Sequence, residues 1–479
     1  MPLLDQSDTV PSDKYASGLE LLQHARNLGK RFGLYEKTLF QTEVKGLVWD
    51  ASAARWNVET DHGDNIRARF TISAPGPFHR PKLPGIRGIE KFQGKSFHSS
   101  RWDYTYTGGN GSGNLDKLAD KKVGIIGTGA TAVQIIPHLG KHAGDVFVFQ
   151  RTPSSIDIRN NKPTDPIWYK SLGGRWQRKR MDNFNILVSG GYQEVDMVGD
   201  GWTDVVRKLL PKPSDDPNDK IDPAEINRNR QLDDFEKMEQ IRARVDAIVK
   251  DPATAKNLKP YYNQFCKRPC FHDEYLQTFN KPNVKLVDTQ GKGVEEITEK
   301  GVLVDGKEYE LDCLIYATGF EMATEWTHRS GYDIIGENGL TISEKWKTGA
   351  STLHGWVTRG FPNAFFVQLV QSGLTPNFIH VATAQAEHFA YVISEAKRRD
   401  IQTLQPTQAA EDRWVETILD LGNLREGFNR ECTPGFYNNE GKASIVAAKN
   451  ASYGGSAVEY LDIIRRWRDD GLLEGLEAV

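Results

Sequence analysis

The sequence is short of cysteine and has no long apolar run. Four cysteines in 479 residues are too few to staple a chain of this length. Cys266, Cys270, Cys313 and Cys432 therefore read as core or incidental thiols in a reducing compartment. Cys266 and Cys270 have no second Cys or His pair at ligand spacing, so no metal is expected. No apolar stretch reaches the ~20 residues that span a bilayer. The opening MPLLDQSDTVPSDKY lacks the basic-then-apolar order of a signal peptide, and a cytoplasmic protein is expected. Charge of one sign is lacking too. With 61 Lys and Arg against 64 Asp and Glu, the net charge is -3, which argues against nucleic acid or a membrane surface as the partner. Internal repeats and low-complexity tracts are absent.

The composition that remains is globular. Hydrophobic residues are 38% and charged residues 26%, enough for a large core, and the length predicts two or three domains. Residues 17–33 predict an amphipathic helix, with apolar positions 21, 22, 25 and 28 at helical spacing and Gly33 as its stop. Runs at 40–48, 55–60 and 66–74 predict an antiparallel meander. Residues 77–114, rich in Pro and Gly, predict a linker with loops. From Lys121 the pattern becomes strand, glycine turn, helix over 130–140 and strand over 146–150, a βαβ unit with a parallel sheet. Residues 163–260 are polar and helical, with an acidic Pro-rich break at 211–217, and predict a helical insertion. Strands return at 284–288, 302–304 and in LDCLIYATGF at 311–320. Helices are predicted over 378–400, 408–422 and 456–468.

The glycine turn carries the first chemistry. Gly127-Thr128-Gly129-Ala130-Thr131-Ala132 fits G-x-G-x-x-A directly after a strand and at the start of a helix. The first Gly allows the tight turn, the second lets backbone approach a pyrophosphate, and the small Ala132 lets helix and strand pack closely. The helix N-terminus then offers free N–H groups to phosphate. Gln134, on the same helix, joins these residues as a candidate dinucleotide contact. An NAD site usually places an acid about 20 residues on, at the ribose hydroxyls. Here the second strand ends in VFVFQRTPS, and Arg151 and Thr152 stand where the acid would be. A guanidinium suits a 2′-phosphate, so NADP(H) is favoured.

Just before this unit lies Phe92-x-Gly94-x-x-x-His98-x-x-x-Trp102-Asp103. It resembles the fingerprint of type I flavoprotein Baeyer–Villiger monooxygenases. FQRTPSS, FCKRPCFHDEYLQTFN, YATGF and CTPGFYNNEG are similar to segments of the same family, so the resemblance covers nearly the whole chain. It implies an α/β fold of two dinucleotide-binding, Rossmann-like domains of the flavin monooxygenase type. The expected division is 1–116 for the remainder of the FAD-binding domain and the linker, 117–310 for the NADP-binding domain with its insertion at 163–260, and 311–479 for the return to the FAD domain and a C-terminal substrate side.

The resemblance implies NADPH and FAD as cofactors, and a small ketone and O2 as partners. NADPH reduces the flavin, the reduced flavin and O2 give a flavin peroxide anion, and this attacks the ketone to yield an ester or lactone. By resemblance Arg268 is the catalytic arginine, a fixed cation for the peroxide and the developing negative charge. Lys267 helps Arg151 hold the 2′-phosphate. His98 and Trp102 couple domain motion rather than act as acid or base. Val44 matches a position that contacts FAD through its backbone, and Ala317-Thr318-Gly319 matches the return toward the flavin. Tyr453-Gly454-Gly455 falls where some relatives place an aromatic residue that closes over the site.

One departure stands out. Family members begin with a strand and a G-x-G-x-x-G turn for FAD, and the region after it supplies an Asp partner for the catalytic Arg. Met1–Asp5 matches a stretch lying after that Asp, and the one dinucleotide turn in the sequence is at Gly127. The FAD site is therefore expected to be incomplete in this chain. Two other readings stay open: a non-catalytic NADP-binding remnant, and a related monooxygenase oxidising nitrogen or sulfur.

Overall fold

The computed structural model describes residues 3–7, 9–209, 223–322, 325–423 and 426–479. Its centre is a five-stranded parallel sheet in the order Val284–Asp288, Asp145–Gln150, Lys122–Ile126, Cys313–Tyr316, Lys95–His98. Parallel strands are buried on both faces and need apolar residues on each. Cys313 and Ile315 join one core with Val123, Ile125, Val146 and Val148, under the helix Ala130–His142. Leu314 and Tyr316 face the opposite core, closed by Ile297, Val302 and Val304 of a three-stranded antiparallel ribbon. Gly124 lets two layers meet, because a Cβ there would lie 2.5 Å from the Leu311 side chain.

Two strands of this sheet come from outside the expected 117–310 unit. Lys95–His98, placed by sequence in a linker, is the sheet edge, and Cys313–Tyr316, placed at the start of the return segment, lies inside it. Short β-bridging segments amid Pro and Gly carry too little periodicity to be seen; their partners are supplied by the tertiary fold.

The second unit contains the meander Val44–Asp50, Arg55–Thr60 and Asn65–Ala68, with Ile334–Ile335 added in parallel to its first strand. Trp49 and Trp56 pair across it, ring centres 5.3 Å apart, over a core with Trp326, Phe361 and Phe366. The run predicted as one strand over 66–74 divides. Residues after Ala68 leave the meander, and Thr71–Ser73 pairs in parallel with Ala364–Phe366. Phe70 drives the change, since its side chain packs on the Leu353, Trp356 and Phe365 core.

Residues 163–260 carry the helices Pro166–Ser171, Trp176–Val188, Gly201–Leu209, Pro223–Ile248 and Pro252–Leu258. The acidic break expected at 211–217 lies outside the described residues. Long helices Phe378–Arg398, Gln408–Asn423 and Ala457–Asp470 complete the C-terminal region. The helix Gly18–Arg31 forms where predicted, held by a capping box of Ser17 and Glu20. Its leucines behave otherwise: Leu19, Leu21 and Leu22 are 42–46% exposed, and His24 is the buried residue. No helix among the described residues is long and apolar enough to cross a membrane.

Candidate cofactor and oxygenation site

The Gly127 turn sits at the C-terminal end of Lys122–Ile126, where open parallel sheets bind ligands. Gly127 has φ +114°, and a Cβ there would come 2.5 Å from the Ala317 carbonyl oxygen. A side chain is excluded on both counts. Gly129 caps the helix Ala130–His142 without a side-chain hydrogen bond, and the space beside its Cα is open. The first helical N–H groups are thus left for an anion, and a diphosphate fits this cradle. Ala132 is fully buried, as close helix–strand contact requires. Thr131 and Gln134 are exposed, and the Gln134 amide donates to the Ala130 carbonyl at 2.9 Å.

The turn is clamped to the loop after the second strand. Thr128 donates from Oγ1 to the Thr152 carbonyl at 2.8 Å, and Ser154 donates to the Thr128 carbonyl at 2.6 Å. This brings Arg151 and Thr152 beside the glycine turn. Arg151 is half-exposed and ion-paired to Glu440 at 3.2 Å. Lys267 stands in the same neighbourhood and donates to the Pro434 carbonyl at 3.1 Å. Burial pushes the Lys267 pKa down, the Arg151 charge adds to this, and Glu440 opposes it.

Arg268 is exposed, with its guanidinium 6.0 Å from the centre of the Trp202 ring. Among the described residues no carboxylate pairs with it. The strand Cys270–Phe271 fixes the loop's exit by pairing in parallel with Ile156–Asp157. Burial pushes the Cys270 thiol up to about 11, with the Arg268 charge opposing. Trp202 belongs to the insertion and packs on Phe271 at 5.5 Å, so the insertion supplies a wall beside Arg268. Trp202 carries no sequence signal of its own, and Glu440 lies in the segment CTPGFYNNEG without being marked there as a site residue.

The fingerprint residues lie at the sheet edge. A Cβ at Gly94 would meet the Phe92 ring at 2.5 Å and the Asp312 carbonyl at 2.8 Å. Asp103 caps a short helix, accepts from the Tyr106 N–H and pairs with Lys95 at 2.5 Å, which holds its carboxyl below the usual range. Trp102 donates from its indole to Thr107 at 2.9 Å and packs edge-on to Phe97. His98 is buried, with a depressed pKa from burial; its Nδ1 accepts from the Ser100 N–H, and its ring meets Phe320 edge-on at 5.4 Å. It therefore joins the sheet edge to the strand exit after Thr318 and Gly319. Val44 opens a strand of the other sheet.

Two expectations are corrected. Cys266 and Cys432 are not free thiols but a disulfide, with Cα atoms 5.2 Å apart across 166 residues of sequence; Cys270 and Cys313 remain free and buried. The pairing follows from the loop 432–441 folding back on Lys267. Tyr453 is no lid. It is buried, stacked on Trp414 at 5.6 Å, inside the C-terminal helical core. Among the described residues no cluster of His, Cys, Asp or Glu could hold a metal ion.

Known proteins resemble this chain in sequence and fold. Residues 8–171 match the family described as flavin-binding monooxygenase-like. A Baeyer–Villiger monooxygenase of Stachybotrys chlorohalonatus is 52% identical over 99% of this chain and 76% of its own length. Neopentalenolactone D synthase of Streptomyces avermitilis is 51% identical over 100% of this chain and 80% of its own. The solved polycyclic ketone monooxygenase of Thermothelomyces thermophila is 38% identical with a TM-score of 0.90, over 100% of this chain and 80% of that one. The chain belongs to the flavin-binding monooxygenases of the Baeyer–Villiger type.

Proposed function

We propose that the protein is an NADPH- and FAD-dependent monooxygenase that inserts one atom of O2 beside a ketone carbonyl, giving an ester or lactone. The observation that carries this reading is the juxtaposition of an open glycine cradle with Arg151, Lys267 and the adjacent Arg268. The cradle takes the NADPH diphosphate at the N-terminus of the helix Ala130–His142. Arg151 and Lys267 take the 2′-phosphate through charge-assisted hydrogen bonds. Arg268, which cannot lose its proton, stabilises the negative charge that develops on oxygen as the ketone is attacked. His98 and Trp102 position the sheet edge against the second unit and carry no proton in the reaction. The name of the solved polycyclic ketone monooxygenase supports a polycyclic ketone as the substrate class.

For FAD the described residues fit only in part. The parallel pair Thr71–Ser73 and Ala364–Phe366 leads into the helix Phe378–Arg398, whose N-cap Asn377 makes no side-chain capping bond. No G-x-G turn lies on that pair, so none of the described residues is assigned to the flavin diphosphate. The roles given to Arg151, Lys267 and Arg268 are toward NADPH and the ketone.

Arg151→Ala should weaken NADPH binding by about 1.5–3 kcal/mol, the worth of a hydrogen bond to a charged group, and barely change NADH binding. Titrating both cofactors by nicotinamide fluorescence checks this. Equal losses for the two would remove Arg151 from the 2′-phosphate.

A further inference from the structure

Glu440 has no part in the roles given so far, yet its backbone is arranged to present it. Asn439, Glu440 and Gly441 have φ of 51°, 55° and 77°, three successive left-handed residues of which only the last is a glycine. Non-glycine residues persist in that region where their surroundings over-determine it, and such sites cluster around function. The surroundings here are specific. Asn438 Oδ1 accepts from the N–H groups of Gly435 at 2.9 Å and Gly441 at 3.3 Å, and its amide donates to the Cys432 carbonyl at 3.1 Å. The Glu440 N–H donates to the Gly435 carbonyl at 2.8 Å. The loop is tied by Cys432 to Cys266 and by the Pro434 carbonyl to Lys267.

What this bracing delivers is a carboxylate on Arg151, at 3.2 Å, with both side chains partly exposed at 51% and 39%. An exposed ion pair contributes little to stability, so stability does not account for the strained backbone. The location does. Glu440 lies against Arg151 and close enough to oppose the effect of burial on Lys267, the two cations assigned to the 2′-phosphate.

We propose that Glu440 is a built-in counter-ion of the 2′-phosphate seat, holding Arg151 when no NADPH is bound and giving way to the phosphate when it is. The proposal rests on the assignment of Arg151 and Lys267 made above. A dianionic phosphate and a carboxylate repel each other at one guanidinium, so NADPH entry displaces Glu440 from Arg151. The displacement passes into the loop 432–441, which is anchored through Cys266 next to Lys267 and two residues from Arg268. Glu440 therefore sets the affinity for the phosphorylated cofactor and not for its unphosphorylated analogue.

The test is nicotinamide fluorescence titration of the full chain with NADPH and with NADH, for Glu440→Gln, Arg151→Ala and the double variant. Glu440→Gln should tighten NADPH by about 5-fold, the upper end for releasing an exposed ion pair. It should leave NADH unchanged, and the gain should shrink with added salt. Glu440→Gly, which suits the left-handed backbone, should tighten NADPH as well. In the Arg151→Ala background the gain should vanish. Unchanged or weaker NADPH binding in both Glu440 variants overturns the proposal, as does a gain shared equally with NADH. If Arg151→Ala is selective for NADPH while the Glu440 variants are silent, only the counter-ion role falls. If Arg151→Ala weakens both cofactors equally, the site assignment itself falls.

Discussion

In protein charged with FAD, Arg268→Ala is expected to end ester formation while NADPH oxidation continues. Losing one preorganised donor to a developing oxyanion typically costs about 10²–10³ in rate, and a full guanidinium charge stands at or above that range. The geometry gives no substitute. Lys267, the adjacent cation, is assigned to the 2′-phosphate and also donates to the Pro434 carbonyl, and Arg268 faces the aromatic wall of Trp202, which carries no charge. On the proposed reading NADPH would be held by the Gly127 cradle and Arg151, neither of which changes. Quantifying ester by gas chromatography beside NADPH consumption separates the two steps. A normal ester yield would take Arg268 out of the chemistry.

The second large effect is on stability. Lys237→Met should lower the unfolding free energy by about 3 kcal/mol, the low end for breaking a buried ion pair from one side. Lys237 is 4% exposed and bridges Asp157 at 2.6 Å and Asp204 at 2.8 Å. Burial works against its charge, but the two carboxylates outweigh it and hold the pKa above the usual lysine value. Methionine fills the space and leaves Asp157 without its cation. The low end of the range applies because Asp204 is 45% exposed and rehydrates. Asp157 lies on the strand that pairs with Cys270–Phe271, just past Arg268, so the insertion is fastened to the loop that carries Arg268 through this contact. Urea unfolding gives the comparison, and a loss below about 1 kcal/mol would show that Lys237 is not a fastening point.

The parts legible in sequence are those with local causes. VGIIG followed by a small-residue turn defines strand, turn and helix over a dozen residues, and they form the strand Lys122–Ile126 and the helix Ala130–His142. The strand Val284–Asp288 and the helix Phe378–Arg398 also follow from local pattern. The parts missed have non-local causes. Lys95–His98 is a strand because Cys313–Tyr316 lies beside it. Phe70 carries the chain from one sheet to another by packing on residues near 353–365. Cys266 meets Cys432, and Arg151 meets Glu440, through a loop whose course no spacing reveals. In the site, Arg268 and Lys267 could be named from a motif, whereas Trp202 comes from an insertion, and the segment that holds Glu440 was recognisable without showing that it meets Arg151.

The most direct measurement is isotopic. The protein is supplied with FAD, NADPH and a polycyclic ketone under ¹⁸O2, and the product is read by mass spectrometry. The account predicts an ester or lactone carrying one ¹⁸O atom in the ring or ester position, formed with NADPH and not without it. An unlabelled ester, or NADPH-driven uptake of ¹⁸O2 that ends only in labelled peroxide or water, would contradict it.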